Sequence, residues 1–198
     1  MAGKGMAGKG AGKGARAAKI VVTGPFGAGK TTLISTISEI TVLSTERDVS
    51  DHTRAWKAET TVAMDFGRIT IDSDLVLYLF GTPGQERFDF MWEILAEGML
   101  GFVVMVDLSR PGSFDEAASM LAAFRGMARA PFVVAANKGD GQVGDDTLAQ
   151  IRATLALEDA VPLVACDARD RASVKDELLT LLYAAVATLD GGAEAASA

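Results

Sequence analysis

Hydrophobic and polar residues fall into blocks along this chain, and the spacing inside the blocks switches between two periods. Lys19-Ile20-Val21-Val22-Thr23 is a short β-branched run that reads as a buried strand. Beyond a Gly-rich stretch, Leu33, Ile34, Ile37 and Ile40 recur at helical spacing. The segment 60–71 is rich in β-formers, Asp72-Ser73-Asp74 supplies a turn, and Leu75 to Phe80 is a second strand, so this region predicts a hairpin. A turn centred on Ser73 places Asp65 opposite Gly81. A loop from Gly81 opens a helix running to about Glu97, with Gly98 as its stop. Met99 to Asp107 is another buried strand, and Pro111-Gly112 turns into a helix over 113–127, where Ser113 and Glu116 have capping-box spacing. A strand over 131–136, a helix over 145–157, a strand over 161–167 and a last helix over 172–189 complete the pattern. Val174, Leu178, Leu181, Leu182 and Val186 form the apolar face of that last helix. Strands alternating with helices predict an α/β fold of three layers. Its sheet is mostly parallel and six-stranded, with one antiparallel hairpin strand and helices on both faces.

Chemistry enters where the first strand meets the first helix. Gly24-Pro25-Phe26-Gly27-Ala28-Gly29-Lys30-Thr31 reads G-x-x-x-x-G-K-T, the phosphate-binding loop of P-loop NTPases. Glycines let the backbone coil so that successive N–H groups point at phosphate oxygens, and the following helix adds a partial positive charge. Gly24, Phe26, Gly27, Ala28, Gly29, Lys30, Thr31 and Thr32 are therefore nucleotide-binding candidates. Lys30 is placed to reach the β- and γ-phosphates, and the Thr31 hydroxyl to ligate Mg²⁺. A second G-x-x-x-x-G-K at Gly3 to Lys9 is a decoy, because Gly10 follows it and no strand precedes it. Asn137-Lys138-Gly139-Asp140 ends a predicted strand. A carboxylate such as Asp140 accepts from both guanine donors, the ring N1–H and the exocyclic amine, whereas adenine presents no such pair. The Lys138 stem can pack over the base while Asn137 ties loops together.

Composition narrows the picture further. The chain of 198 residues suits one domain with tails, and 49% hydrophobic residues suffice for a core. Residues 1–18 repeat Ala-Gly-Lys-Gly and read as a disordered basic tail, 19–189 as the nucleotide-binding domain, and 190–198 as a second disordered tail. The tail could touch acidic lipid peripherally or simply be solvated. No membrane span, signal peptide or lipidation signal is expected. A net charge of −7 argues against nucleic-acid binding, and a single cysteine, Cys166, fits a reducing cytoplasm. The polar connector over 41–59 is long enough to be functional, but its His52, the one histidine, has no metal-binding neighbours.

Together these motifs resemble those of Ras-superfamily small GTPases over about residues 19–189. Thr61-Val62-Ala63-Met64-Asp65-Phe66 and Gly84-Gln85-Glu86-Arg87-Phe88 resemble Rab patterns. More narrowly, Phe80-Gly81-Thr82-Pro83-Gly84-Gln85 and Cys166-Asp167-Ala168-Arg169-Asp170 resemble prokaryotic conservon-operon and MglA-like GTPases. The resemblance implies a GTP/GDP switch with Mg²⁺ as cofactor and slow hydrolysis, partnered by Roadblock-type and sensor-kinase-like proteins. It makes Thr61 a second Mg²⁺ ligand, Gly84 a γ-phosphate donor and Gln85 the residue that orients water. Cys166, Asp167 and Ala168 would form the guanine loop, with the Ala168 N–H near the base oxygen. Arg54, with Arg47 as an equal candidate, could serve as an arginine finger. Three features depart from the pattern: bulk at Phe26, glycine at 81 where an aspartate is usual, and the long connector before Thr61. Asp65 could replace the missing aspartate. A nucleotide-gated scaffold with negligible hydrolysis is the alternative, and an ATP-using kinase a more distant one. Trp56 and Trp92 are expected to face a partner, with Phe88, Phe90 and Met91 nearby.

Overall fold

The computed structural model describes residues 16–44, 64–71, 74–83 and 90–195. Among them the expected sheet forms, with β1 (Arg16–Thr23), β3 (Asp65–Thr70), β4 (Leu75–Gly81), β5 (Met99–Asp107), β6 (Phe132–Asn137) and β7 (Leu163–Cys166). A two-residue strand, β2 (Leu43–Ser44), adds to its edge, giving the order β2-β3-β4-β1-β5-β6-β7. β3 runs antiparallel to β4, while β1, β4, β5, β6 and β7 are mutually parallel. The helices are α1 (Lys30–Ile37), α2 (Phe90–Ala96), α3 (Phe114–Met127), α4 (Asp145–Thr154) and α5 (Arg171–Ala195).

Strand alternation builds two cores, one on each face of the sheet. Ile20, Val22, Val103, Met105, Val133 and Ala135 point to the side covered by α1 and α5, where Leu33, Ile34, Val174, Leu178 and Leu181 meet them. Val21, Phe102, Val104, Val106 and Val134 point the other way, against Trp92, Phe114, Leu121, Phe124 and Ile151 from α2, α3 and α4. Each fully buried side chain of this kind stabilises the fold by roughly 1.5–3 kcal/mol. Parallel strands buried on both faces read as unbroken apolar runs, which is how Phe102 to Val106 looks in the sequence.

Several expectations shift in detail. β1 begins at Arg16, whose N–H donates to the Asp74 carbonyl at 2.6 Å, so the last residues of the expected tail belong to the sheet. α5 continues through Asp190-Gly191-Gly192 to Ala195 instead of stopping near 189. Gly98 does end the region of α2, at a left-handed φ of 64°. The expected capping box at Ser113 does not form: the Ser113 hydroxyl donates to the Arg110 carbonyl, and Glu116 pairs with the Arg110 guanidinium. On α5 Ala185 is buried and Val186 is exposed, so the apolar face turns by one residue.

Trp92 corrects another expectation. It is buried, 6% exposed, and packs beside Phe124 with ring centroids 5.8 Å apart, so it does not face a partner. The outward face of α2 carries Phe90 and Ile94 instead. Trp56 and Phe88 lie outside the described residues. No helix among the described residues is long and apolar enough to cross a membrane.

Candidate functional site

The site sits where β1, β5 and β6 end, at the carboxyl edge of the parallel strands, the usual ligand position in such sheets. β1 delivers the chain into the Gly-rich loop with Gly24 at φ 142°, a conformation that side chains rarely adopt. A Cβ there would lie 2.5 Å from the Met105 carbonyl oxygen, so the loop needs glycine for space as well as for φ. The loop then turns through Gly27 and Gly29, both at positive φ, into α1. Lys30 is 7% exposed, and its ammonium donates to the Gly24 and Pro25 carbonyls at 2.7 and 2.9 Å. Phe26 stands exposed at the loop tip.

Asp65 is the feature that the hairpin register placed correctly. It pairs with Gly81 across β3 and β4, and the Thr31 hydroxyl donates to its Oδ2 at 2.6 Å. A Cβ at Gly81 would lie 3.0 Å from the Asp65 Cβ and 3.1 Å from Oδ2, so the Asp65 side chain fills the space that a side chain at 81 would take. Thr31 and Asp65 thus form a pair of hard oxygen donors beside the loop. Mg²⁺ in phosphate sites is commonly held by one or two protein oxygens together with phosphate, and this donor pair fits that chemistry.

Asn137 joins three loops. Its amide donates to the Ala28 carbonyl at 2.8 Å, and its Oδ1 accepts the Ala168 N–H at 3.1 Å. That N–H, expected near a base oxygen, is committed to Asn137 in this structure. Lys138, at φ 68°, reaches Asp107 with its ammonium 2.6 Å from Oδ2. Burial pushes the Asp107 carboxyl up, but hydrogen bonds from Lys138 and from the Ser109 hydroxyl and N–H outweigh this and hold it below the usual range.

The rim of the pocket holds Asp140 and Asp167, and Arg169 bridges them. Its guanidinium donates to Asp140 at 2.7 Å and to both Asp167 oxygens at 2.9 Å. The Arg169 hydrogen bonds hold the Asp167 carboxyl down at about 2. Gly27, Gly29, Thr32, Asn137, Lys138, Asp140, Asp167, Ala168 and Arg169 line a cavity of about 340 Å³, continuous from the Gly-rich loop to the 137–140 tetrad. Cys166 lies below it, fully buried. Desolvation, and then the nearby Glu177, push its thiol up to about 12; expected in the guanine loop, Cys166 instead ends β7 and does not line the cavity.

Two arginines that the motifs did not single out therefore belong to the site. Arg169 directly follows the Asp-Ala pair, a signal the sequence did carry. Arg110 donates to the Phe26 carbonyl at 3.0 Å from the loop after β5. Arg47, Arg54, Thr61, Gly84 and Gln85 lie outside the described residues.

A family model described as "Conserved hypothetical ATP binding protein" matches residues 22–188. An uncharacterized protein of Methanocaldococcus jannaschii, MJ1339, is 35% identical over 95 residues, covering 46% of this chain and 52% of its own. The chain thus spans about half the length of this curated relative. These findings overturn the resemblance to Ras-superfamily and MglA-like GTPases, because the family that matches is a different one. The physical reason is that a phosphate loop at a strand–helix junction and a polar tetrad ending a parallel strand serve nucleotide binding in general. They do not single out one lineage among proteins that share them.

Proposed function

Belonging as it does to this nucleotide-binding family, the protein is one that we propose binds GTP and GDP with Mg²⁺ and hydrolyses GTP slowly, as a guanine-nucleotide switch. The observation that carries the guanine reading is Asp140, set at the mouth of the cavity by a tetrad whose Asn137 is tied to the phosphate loop. In this reading the guanine N1–H and amine replace Arg169 on Asp140, while the bonds to Asp167 keep Arg169 at the rim. Lys138, fixed by Asp107, supports the base from the side. Lys30 turns from the loop carbonyls to the phosphates, and the backbone N–H groups of the loop complete the cradle. The family's description as ATP-binding favours adenine instead, and this is the second reading.

Competition titration separates the two. GTP and GDP are expected to bind about five- to 150-fold more tightly than ATP, because a carboxylate left facing the wrong base edge costs ~1–3 kcal/mol. Asp140→Asn is expected to turn preference toward xanthine nucleotides. Equal affinity for ATP and GTP in the unaltered chain would remove the guanine reading, and tighter binding of ATP would establish the adenine one.

Mg²⁺ in this site would be held by Thr31 and Asp65, and it would supply charge neutralisation for the phosphates. Thr61, expected as a further ligand, lies outside the described residues. Asp65→Ala is expected to speed GDP release at millimolar Mg²⁺ about tenfold and to flatten its dependence on Mg²⁺. An unchanged Mg²⁺ profile would assign Asp65 to hairpin structure alone.

A further inference from the structure

On the flank of the core-facing side of α5, next to Val174 and Leu181 and turned toward Cys166 of β7, Glu177 is 2% exposed, and neither of its carboxylate oxygens has a hydrogen-bond partner among the described residues. It lines a depression of about 110 Å³ with Val164, Ala165, Ser173, Asp176 and Thr180. Neither hydroxyl there is bonded to Glu177, and Ser173 also bonds the Cys166 thiol. Ser173 accepts the Asp167 N–H at 2.9 Å, and Thr180 donates to the Asp176 carbonyl at 2.9 Å. A buried carboxylate left without donors is costly, and proteins keep one where something else supplies them.

The strand beside it is also incomplete. β7 ends the sheet order among the described residues. The Val134 N–H donates to the Pro162 carbonyl, so alternation aims Val164 at β6 and the Ala165 N–H and C=O outward, over the depression. The outward edge of β7 and the buried Glu177 side chain therefore line one small depression.

We propose that this depression binds a guanidinium group at Glu177. A metal ion does not suit it: among the described residues no three His, Cys, Asp or Glu gather to hold one. Two unserved oxygens on one carboxylate match the planar fork of a guanidinium, whereas an ammonium offers only a point charge. The lining of the depression carries no positive charge: Asp176 and Glu177 are its titratable residues, and Cys166 faces Glu177 from β7 as a neutral thiol. An arginine in an extended peptide would gain bonds to the Ala165 backbone as well, by adding a strand at the β7 edge. A free small guanidine would use Glu177 alone.

The test is a titration of the full chain at pH 8.5 with three probes. They are a capped pentapeptide with arginine at the centre of four valines, the same peptide with citrulline, and N-acetylarginine amide. The arginine peptide is expected to bind at least tenfold more tightly than the citrulline peptide, and Glu177→Gln to erase the difference. Binding of N-acetylarginine amide as tight as that of the peptide would support the site and name a free small molecule as its source; tighter peptide binding would support strand addition. Absence of binding by both arginine probes, or an arginine preference that survives in Glu177→Gln, would overturn the proposal. The citrulline comparison reads the same chemistry without altering the protein.

Discussion

Gly24→Ala is expected to lower nucleotide affinity at least a hundredfold and to destabilise the fold by on the order of 3 kcal/mol. Gly24 holds φ 142°, and the added Cβ would lie 2.5 Å from the Met105 carbonyl oxygen and 3.2 Å from the Met105 Cβ. The colliding oxygen is backbone in the middle of β5, pinned by the neighbouring strands, so it has little room to yield. The first turn of the loop must then move, and the Lys30 ammonium, which donates to the Gly24 carbonyl, moves with it. A misplaced loop loses its array of inward N–H groups together, which is why the effect on binding exceeds that of one lost hydrogen bond. Gly112→Ala is the control. No atom lies within 4 Å of a Cβ built there, so it should leave both nucleotide affinity and melting temperature unchanged. Fluorescent-nucleotide titration and thermal unfolding check both variants. A Gly24→Ala protein that binds normally would remove the loop from the functional site.

Asp65 shows what the sequence could carry. A period-two hairpin turning at Ser73 leaves one register that keeps its apolar residues inward, so pairing Asp65 with Gly81 followed from counting. The sheet and its two cores were equally visible, because buried parallel strands announce themselves as apolar runs. Contacts between loops distant in sequence were not. Nothing in the one-dimensional pattern says that Arg169 spans two carboxylates, or that Arg110 reaches the Phe26 carbonyl across 84 positions. Arg110 also accounts for the lost capping box, because it draws both Ser113 and Glu116 to itself. Trp92 was misread through the resemblance, which set it in a segment expected to face a partner, yet helical phase alone puts Trp92, Leu95 and Ala96 inward and Phe90 and Ile94 outward. The end of α5 shows a different limit: consecutive glycines weaken a helix but do not stop one that four earlier turns have already nucleated and docked. The family was misread for a further reason, since phosphate and base recognition impose similar residues on lineages that differ elsewhere.

Glu177→Gln is expected to stabilise the protein by about 3 kcal/mol at pH 7 and to have no effect near pH 4. Desolvation raises the Glu177 carboxyl from its ordinary 4.5 to about 8 in the folded chain. Below the unfolded value both states hold the proton, and the buried acid costs nothing extra. Between the two values the unfolded chain releases its proton while the folded chain keeps it, so stability falls as pH rises, by ~1.4 kcal/mol per unit. Above the folded value the loss is complete and the curve is flat. Glutamine has the same shape and never ionises, so the advantage of the variant should open above pH 4.5, grow to about pH 8 and then level off. Asp167 and Asp107, both held below the ordinary range, act with the opposite sign, but only as pH falls through the acid region, and they are common to both proteins. Urea unfolding of the two chains at a series of pH values reads the difference directly. A constant gap across pH 4 to 9 would mean that packing, and not charge, separates them. A carboxylate that weakens its own fold at neutral pH is the kind of group a protein retains for binding, and a guanidinium at Glu177 would restore that stability while present. The arginine peptide should therefore raise the melting temperature of the unaltered chain at pH 8.5 and leave that of Glu177→Gln where it was.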